Sequence, residues 1–171
     1  MADALPGNER EMLLSWLDGQ RNHVVGAVEG LEEADLQRVM VPTGWSCTGL
    51  IQHLALDVER FWFRCVITGE ADAIASLDTG PGNAWIVPPG ISASQVIALY
   101  RREIELANEI IRKTSLDATP VWWPGERFGD WHIDTVRELI LHVMTETATH
   151  AGHLDIVREL IDGKQWLVLT E

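Results

Sequence analysis

The chain has 171 residues, of which 46% are hydrophobic and 23% charged, and its net charge is −13. Those proportions belong to a globular protein with enough chain for a core. Thirteen basic residues against 26 acidic ones exclude the basic face that nucleic acid or an anionic membrane requires.

The first helical pattern covers 8–31, where Met12, Leu13, Trp16, Leu17, Val24, Val28 and Leu31 recur at three- and four-residue steps. "VPTGWS" (41–46) is a turn, broken by Pro42 and Gly44. A second helix is expected over 46–68, with Leu50, Leu54, Val58, Phe61 and Cys65 as its apolar stripe. The segment 69–92 contains the breakers "TGPGN" and "VPPG" and reads as a loop. A third helix follows over 94–113, with Val96, Tyr100, Ile104, Ala107 and Ile111 on one side. "TPVWWPGERFGDWHID" (119–134) is a second irregular connection. The fourth helix opens on a capping box, Thr135 with Glu138, and ends at Gly163, a residue suited to a left-handed stop. The last residues, "WLVLTE", read as a short strand or an extended tail. No segment alternates with a two-residue period. The expected fold is therefore all-α, a four-helix bundle with two long irregular connections and one domain over 1–171.

The fourth helix raises the functional question. Read as a heptad seam, Val136, Leu139, Val143, Glu146, His150, His153, Val157 and Leu160 follow one another at steps of three and four. The middle three are polar at positions where the spacing asks for aliphatics. A buried carboxylate without a partner costs several kcal/mol, so compensation is required. Glu146 and His150, at i and i+4, point the same way and can chelate one cation. His142 lies one turn earlier on the flank. On the second helix His53 stands at the border of the apolar face, with Asp57 one turn on, able to orient the imidazole or to ligate directly. Three protein ligands with open positions make a catalytic site rather than a closed structural one. The rival reading is a buried ion-pair network in which Arg137 or Arg158 neutralises Glu146; it leaves His150 and His153 unexplained.

Other templates fail. The chain has no H-E-x-x-H, no paired E-x-x-H of a di-iron bundle, no phosphate-cradling glycine loop and no G-x-S-x-G. Cys47, near a helix start, is a candidate nucleophile or a small packing residue. Trp85, Trp122, Trp123 and Trp131 are candidates for the walls of a ligand pocket, or plugs for the ends of the bundle.

The pairing of "GWSCTGLIQHL" (44–54) with "HVMTETATHAGHLDIVRELIDG" (142–163) resembles the DinB-like superfamily of metal-binding four-helix bundles. That superfamily includes YfiT-type metal-dependent hydrolases and the metal-binding domain of mycothiol-dependent maleylpyruvate isomerase. The resemblance covers nearly the whole chain and implies a divalent metal held by His53, Glu146 and His150. It also implies His153 as a pocket-lining or exchangeable group, zinc or another divalent ion, and in some members a low-molecular-weight thiol such as mycothiol or bacillithiol. The carboxylate of Glu146, a harder donor than a third histidine, leaves nickel, manganese and iron beside zinc.

These features lead to one expectation and two alternatives. The expectation is a metal-dependent S-transferase acting on a small electrophile, with Asp57, His142 and His153 orienting ligands or moving protons. A metal-dependent hydrolase and a non-catalytic bundle that binds metal or a small ligand stand beside it. A small molecule is the expected partner, with no nucleic acid and no membrane, and the amphipathic first helix offers a face for a homodimer. "MADALPGNEREM" lacks a basic start followed by an apolar block, no run approaches the ~20 apolar residues of a membrane span, and two cysteines fit reduced thiols. The expected location is cytoplasmic.

Overall fold

The computed structural model of the protein describes residues 6–79 and 82–166. Among these described residues six α-helices follow in chain order: α1 Pro6–Ala27, α2 Glu33–Gln37, α3 Cys47–His53, α4 Ala71–Thr79, α5 Ala93–Lys113 and α6 Val136–Asp162. Without a break, α3 continues as a π-helix over Leu54–Ile67. Among the described residues there is no strand, only one antiparallel bridge between Val39 and Ser46. The bundle is formed by α1, α3 with its π-helical continuation, α5 and α6: α1 packs on α6, α5 on the π-helix and α3, and α6 on the π-helix.

Local signals explain most boundaries. The Ser46 hydroxyl accepts from the Gly49 N–H at 3.1 Å and starts α3. The Thr135–Glu138 capping box is formed in both directions at the start of α6, and Gly163 ends that helix with φ 75°. A second capping box, Ser92 with Gln95, starts α5 one residue earlier than its apolar pattern indicates. The first helix stops at Ala27 rather than at 31, because the N–H groups of Val28 and Glu29 turn to the carbonyls three residues back and Gly30 takes φ 76°.

Three expectations about packing are corrected. The stretch 69–92, read as loop, contains α4; its nine residues bury Ala73, too little apolar surface to stand out from the glycine and proline breakers that follow. In α1 the inward line is Leu13, Leu14, Leu17, Val24 and Ala27, whereas Met12 and Trp16 are 51% and 63% exposed. Each stands one residue, about 100° of helix rotation, from a leucine that faces the core. In α6 the buried line is Val136, Leu139, Ile140, Val143, Thr147, His150, Ala151, Leu154 and Val157. A straight helix drifts by about 20° per heptad against a seven-residue seam. The drift leaves Glu146 half-buried, His153 exposed and Leu160 55% exposed. Of the three polar seam residues, only His150 is buried.

Two ion-pair systems cross the core. Arg21 of α1 grips Glu59 of the π-helix with two bonds of 2.6 and 2.7 Å, and also donates to Asp18 and Asn108. Glu103 of α5 accepts from both Arg60 and Arg64. No helix among the described residues is long and apolar enough to cross a membrane. Residues 167–171 of the predicted tail lie outside the described residues.

Candidate metal centre

His53 is the last α-helical residue before the π-helix begins. π-helical turns are rare and concentrate at functional sites. His53 Nδ1 lies 2.9 Å from Asp57 Oδ2. A carboxylate only accepts, so Nδ1 carries the proton and Nε2 keeps its lone pair. Trp85 lies parallel to the imidazole, with 4.2 Å between ring centroids and 18° between planes. The sequence leaves Trp85 open as a pocket wall or a plug for the end of the bundle; it lies over one face of the His53 ring.

The loop that carries Trp85 reaches this position because residue 49 has no side chain. A Cβ on Gly49 would sit 2.3 Å from the Trp85 carbonyl oxygen. Gly49→Ala, a change that ordinarily favours a helix by roughly 0.5–1 kcal/mol, is therefore expected to destabilise by about 1–3 kcal/mol. A thermal melt checks this, and a melting temperature equal to or above the parent's would contradict the close approach.

On α6, His150 Nε2 is 3.8 Å from Glu146 Oε2, too far for a hydrogen bond. His150 Nδ1 faces His153 Nδ1 at 3.3 Å. With the proton on His150 Nδ1, its Nε2 lone pair is left toward Glu146. Burial, reinforced by His53 and His153, lowers the pKa of His150 to about 4, so the ring is a neutral donor at physiological pH. The His53 and His150 rings meet edge to face at 5.1 Å.

One donor atom each from His53, Glu146 and His150 fall within 4.8 Å of one another. Donors at about 2.0–2.2 Å from one cation lie roughly 3–4 Å apart, so small side-chain rotations close the set on an ion. Two imidazoles with free lone pairs and one carboxylate suit a divalent metal. The ion-pair alternative fails on geometry. Arg137 is held by Glu9 and Asp117, and Arg158 donates to the carbonyls of Ala27 and Glu29 and to Asp162. Neither reaches Glu146.

The remaining candidates surround this cluster. Asp57 supports His53. His153 is exposed beside His150, with Trp45 at 6.2 Å. His142 packs edge-on against Trp62 at 4.8 Å and beside Trp131 at 5.2 Å, and burial lowers its pKa against the pull of Glu146. Cys47 is buried, and burial pushes its thiol up to about 11; it is a packing residue. A cleft of about 340 Å³ opens from His53, Asp57 and Glu146 toward Phe61, Trp62, Phe128 and Trp131. A second, more polar cleft of about 390 Å³ lies beyond Asp57 and includes Arg60, Asn83 and Arg127. Sequence reading missed Trp62, Phe128 and Arg127. Trp62 hides within a helix beside the core residue Phe61, and the other two sit in a connection without periodicity.

Comparison with known families adds the deciding observation: the profile of the family described as mycothiol-S-transferase matches residues 12–163. The chain belongs to that family. The mycothiol-S-transferase match runs through all four long helices and contains His53, Asp57, His142, Glu146, His150 and His153. It agrees with the DinB-like resemblance carried by the two motifs. No curated protein matches this mycothiol-S-transferase family member significantly.

Proposed function

We propose that the protein is a divalent-metal-dependent S-transferase that joins a low-molecular-weight thiol of the mycothiol type to a small electrophile. The observation that carries this reading is the convergence of His53, Glu146 and His150 within 4.8 Å, beside a cleft that His53 and Glu146 line, in a chain of the mycothiol-S-transferase family. Two histidines and one glutamate form the donor set of open catalytic zinc sites, which keep a further position for a ligand; zinc is the metal proposed first.

A free thiol has a pKa near 8.5 and is mostly protonated at neutral pH. A bound divalent cation would supply the positive charge that favours its thiolate. The protein's own residues do the rest. Asp57 holds the His53 proton on Nδ1, the buried His150 stays neutral, and Glu146 brings one negative charge to the set. His153, exposed and 3.3 Å from His150, is the group proposed to pass the thiol proton to solvent. His142, on the cleft wall, is proposed to orient the incoming substrate.

The test is calorimetric titration of mycothiol into zinc-loaded and zinc-stripped protein. Binding to the loaded form alone is expected; equal binding to both would contradict the proposal. Asp57→Asn should weaken zinc binding by about 10–100-fold, as read by competition with a chromophoric chelator, because an amide oxygen holds the imidazole less firmly than a carboxylate does. Unchanged zinc affinity in that variant would remove Asp57 from the site.

A further inference from the structure

The aromatic cleft carries more chemistry than the proposed reaction uses. Its far wall is a nest of four rings from two separate segments. Trp62 rises from the π-helix and stacks on Phe128, with centroids 5.6 Å apart and planes at 17°. Trp131 meets Trp62 edge-on at 6.0 Å and Phe128 at 5.5 Å. Phe61 closes the base against Phe128 at 6.1 Å. Phe61 and Trp62 are almost fully buried, yet Trp131 is 44% exposed. The rings have few torsions, are fixed by one another, and leave a flat apolar face open beside His53 and Glu146.

One cation borders this face. The Arg127 guanidinium lies 5.8 Å from the centroid of Phe61, lines both clefts, and makes no ion pair with any described carboxylate. The Asp57 carboxylate in the same cleft is turned to His53.

We propose that this cleft is the electrophile site and that it selects planar, electron-poor conjugated electrophiles, whose attack by sulfur builds negative charge that Arg127 meets. This rests on the S-transferase reading above. For an aryl halide the thiolate sulfur forms a C–S bond to the ring carbon that bears the halide, and the electron pair moves into the ring and its withdrawing groups. The C–halogen bond then breaks, halide leaves with its electron pair, and the thiol proton goes to solvent. The flat ring is held by stacking on Trp131, the exposed ring of the nest, which Trp62 and Phe128 hold in place; a small aliphatic electrophile has no such contact to gain.

The experiment separates binding from turnover. Equilibrium dialysis of 1,3-dinitrobenzene, which lacks a leaving group, is carried out with zinc-loaded and zinc-stripped protein and with the zinc-loaded Trp131→Ala and Trp131→Phe variants. Expected are saturable binding with and without zinc, about tenfold weaker binding in Trp131→Ala, and recovery to within about threefold in Trp131→Phe. Transfer is then measured with mycothiol and either 1-chloro-2,4-dinitrobenzene or iodoacetamide. In Trp131→Ala, kcat/KM for the aryl chloride should fall about tenfold while the value for iodoacetamide stays within about twofold. Equal dinitrobenzene binding by parent and Trp131→Ala, or a parallel fall for both electrophiles, would overturn the proposal. Dinitrobenzene binding that depends on Trp131, without transfer to either electrophile, would sustain the aromatic site and overturn the transferase reading instead.

Discussion

Replacing His150 by alanine is expected to reduce bound zinc from about one equivalent per chain to below a tenth, measured by elemental analysis after dialysis against a weak chelator. The size of the effect follows from where the donors sit. His150 is the buried member of the set and the one that bridges its neighbours, with Glu146 one turn before it, His153 one turn after it and the His53 ring across the helix interface. Its loss leaves one imidazole and one half-buried carboxylate on separate helices, too few to hold a divalent ion against water. His53→Ala should behave alike, since it removes the only described donor that the α3–π segment brings to the cluster. His153→Ala should keep nearly the full equivalent, because His153 lies outside the three-donor set. Zinc retained by His150→Ala and lost by His153→Ala would reverse the assignment of the two residues.

The second large effect concerns stability. Arg21→Met should destabilise the fold by about 3–5 kcal/mol, seen as a lower urea midpoint at pH 7 and fixed zinc concentration. Burial works against the guanidinium charge of Arg21, but Glu59 beside it more than offsets that, and the net pKa shift is upward. Without Arg21, the Glu59 carboxylate has no exposed surface and no counter-charge, within a core built from α1, the π-helix and α5. The double variant Arg21→Met with Glu59→Leu should recover most of the loss, because an apolar pair of similar volume leaves no charge unsatisfied. A double variant as unstable as Arg21→Met alone would show that the bonds of Arg21 to Asp18 and Asn108, rather than the pair with Glu59, secure this part of the core.

The metal-ligand candidates were legible in the sequence because their signals are local. Glu146 and His150 sit one turn apart on a helix whose two ends are marked by Thr135, Glu138 and Gly163. His53 follows a turn and a serine cap at a fixed distance. What the sequence could not show depends on geometry that a linear pattern does not contain. A seam of threes and fours fits a supercoiled helix and a straight one alike, so the pattern places Glu146 and His153 inside, whereas Glu146 is half-buried and His153 exposed. The partnership of Arg21 with Glu59 spans 38 residues and has no local trace. The change from α- to π-helical turns at Leu54 leaves the apolar stripe Leu54, Val58, Phe61 and Cys65 buried, so periodicity passes over it. Trp85 reaches His53 only because Gly49 lets its backbone approach, a contact between a helix and a distant loop.

Whether the His53, Glu146 and His150 cluster supports transfer of a thiol is tested by a single comparison. The rate of mycothiol conjugation to monochlorobimane is followed by fluorescence for the zinc-loaded protein, the zinc-stripped protein, the same stripped sample after zinc is restored, and His150→Ala with zinc added. Conjugation above the uncatalysed rate is expected in the loaded and restored samples, and the uncatalysed rate in the other two. Equal rates in the loaded and stripped protein, or full activity in His150→Ala, would contradict it.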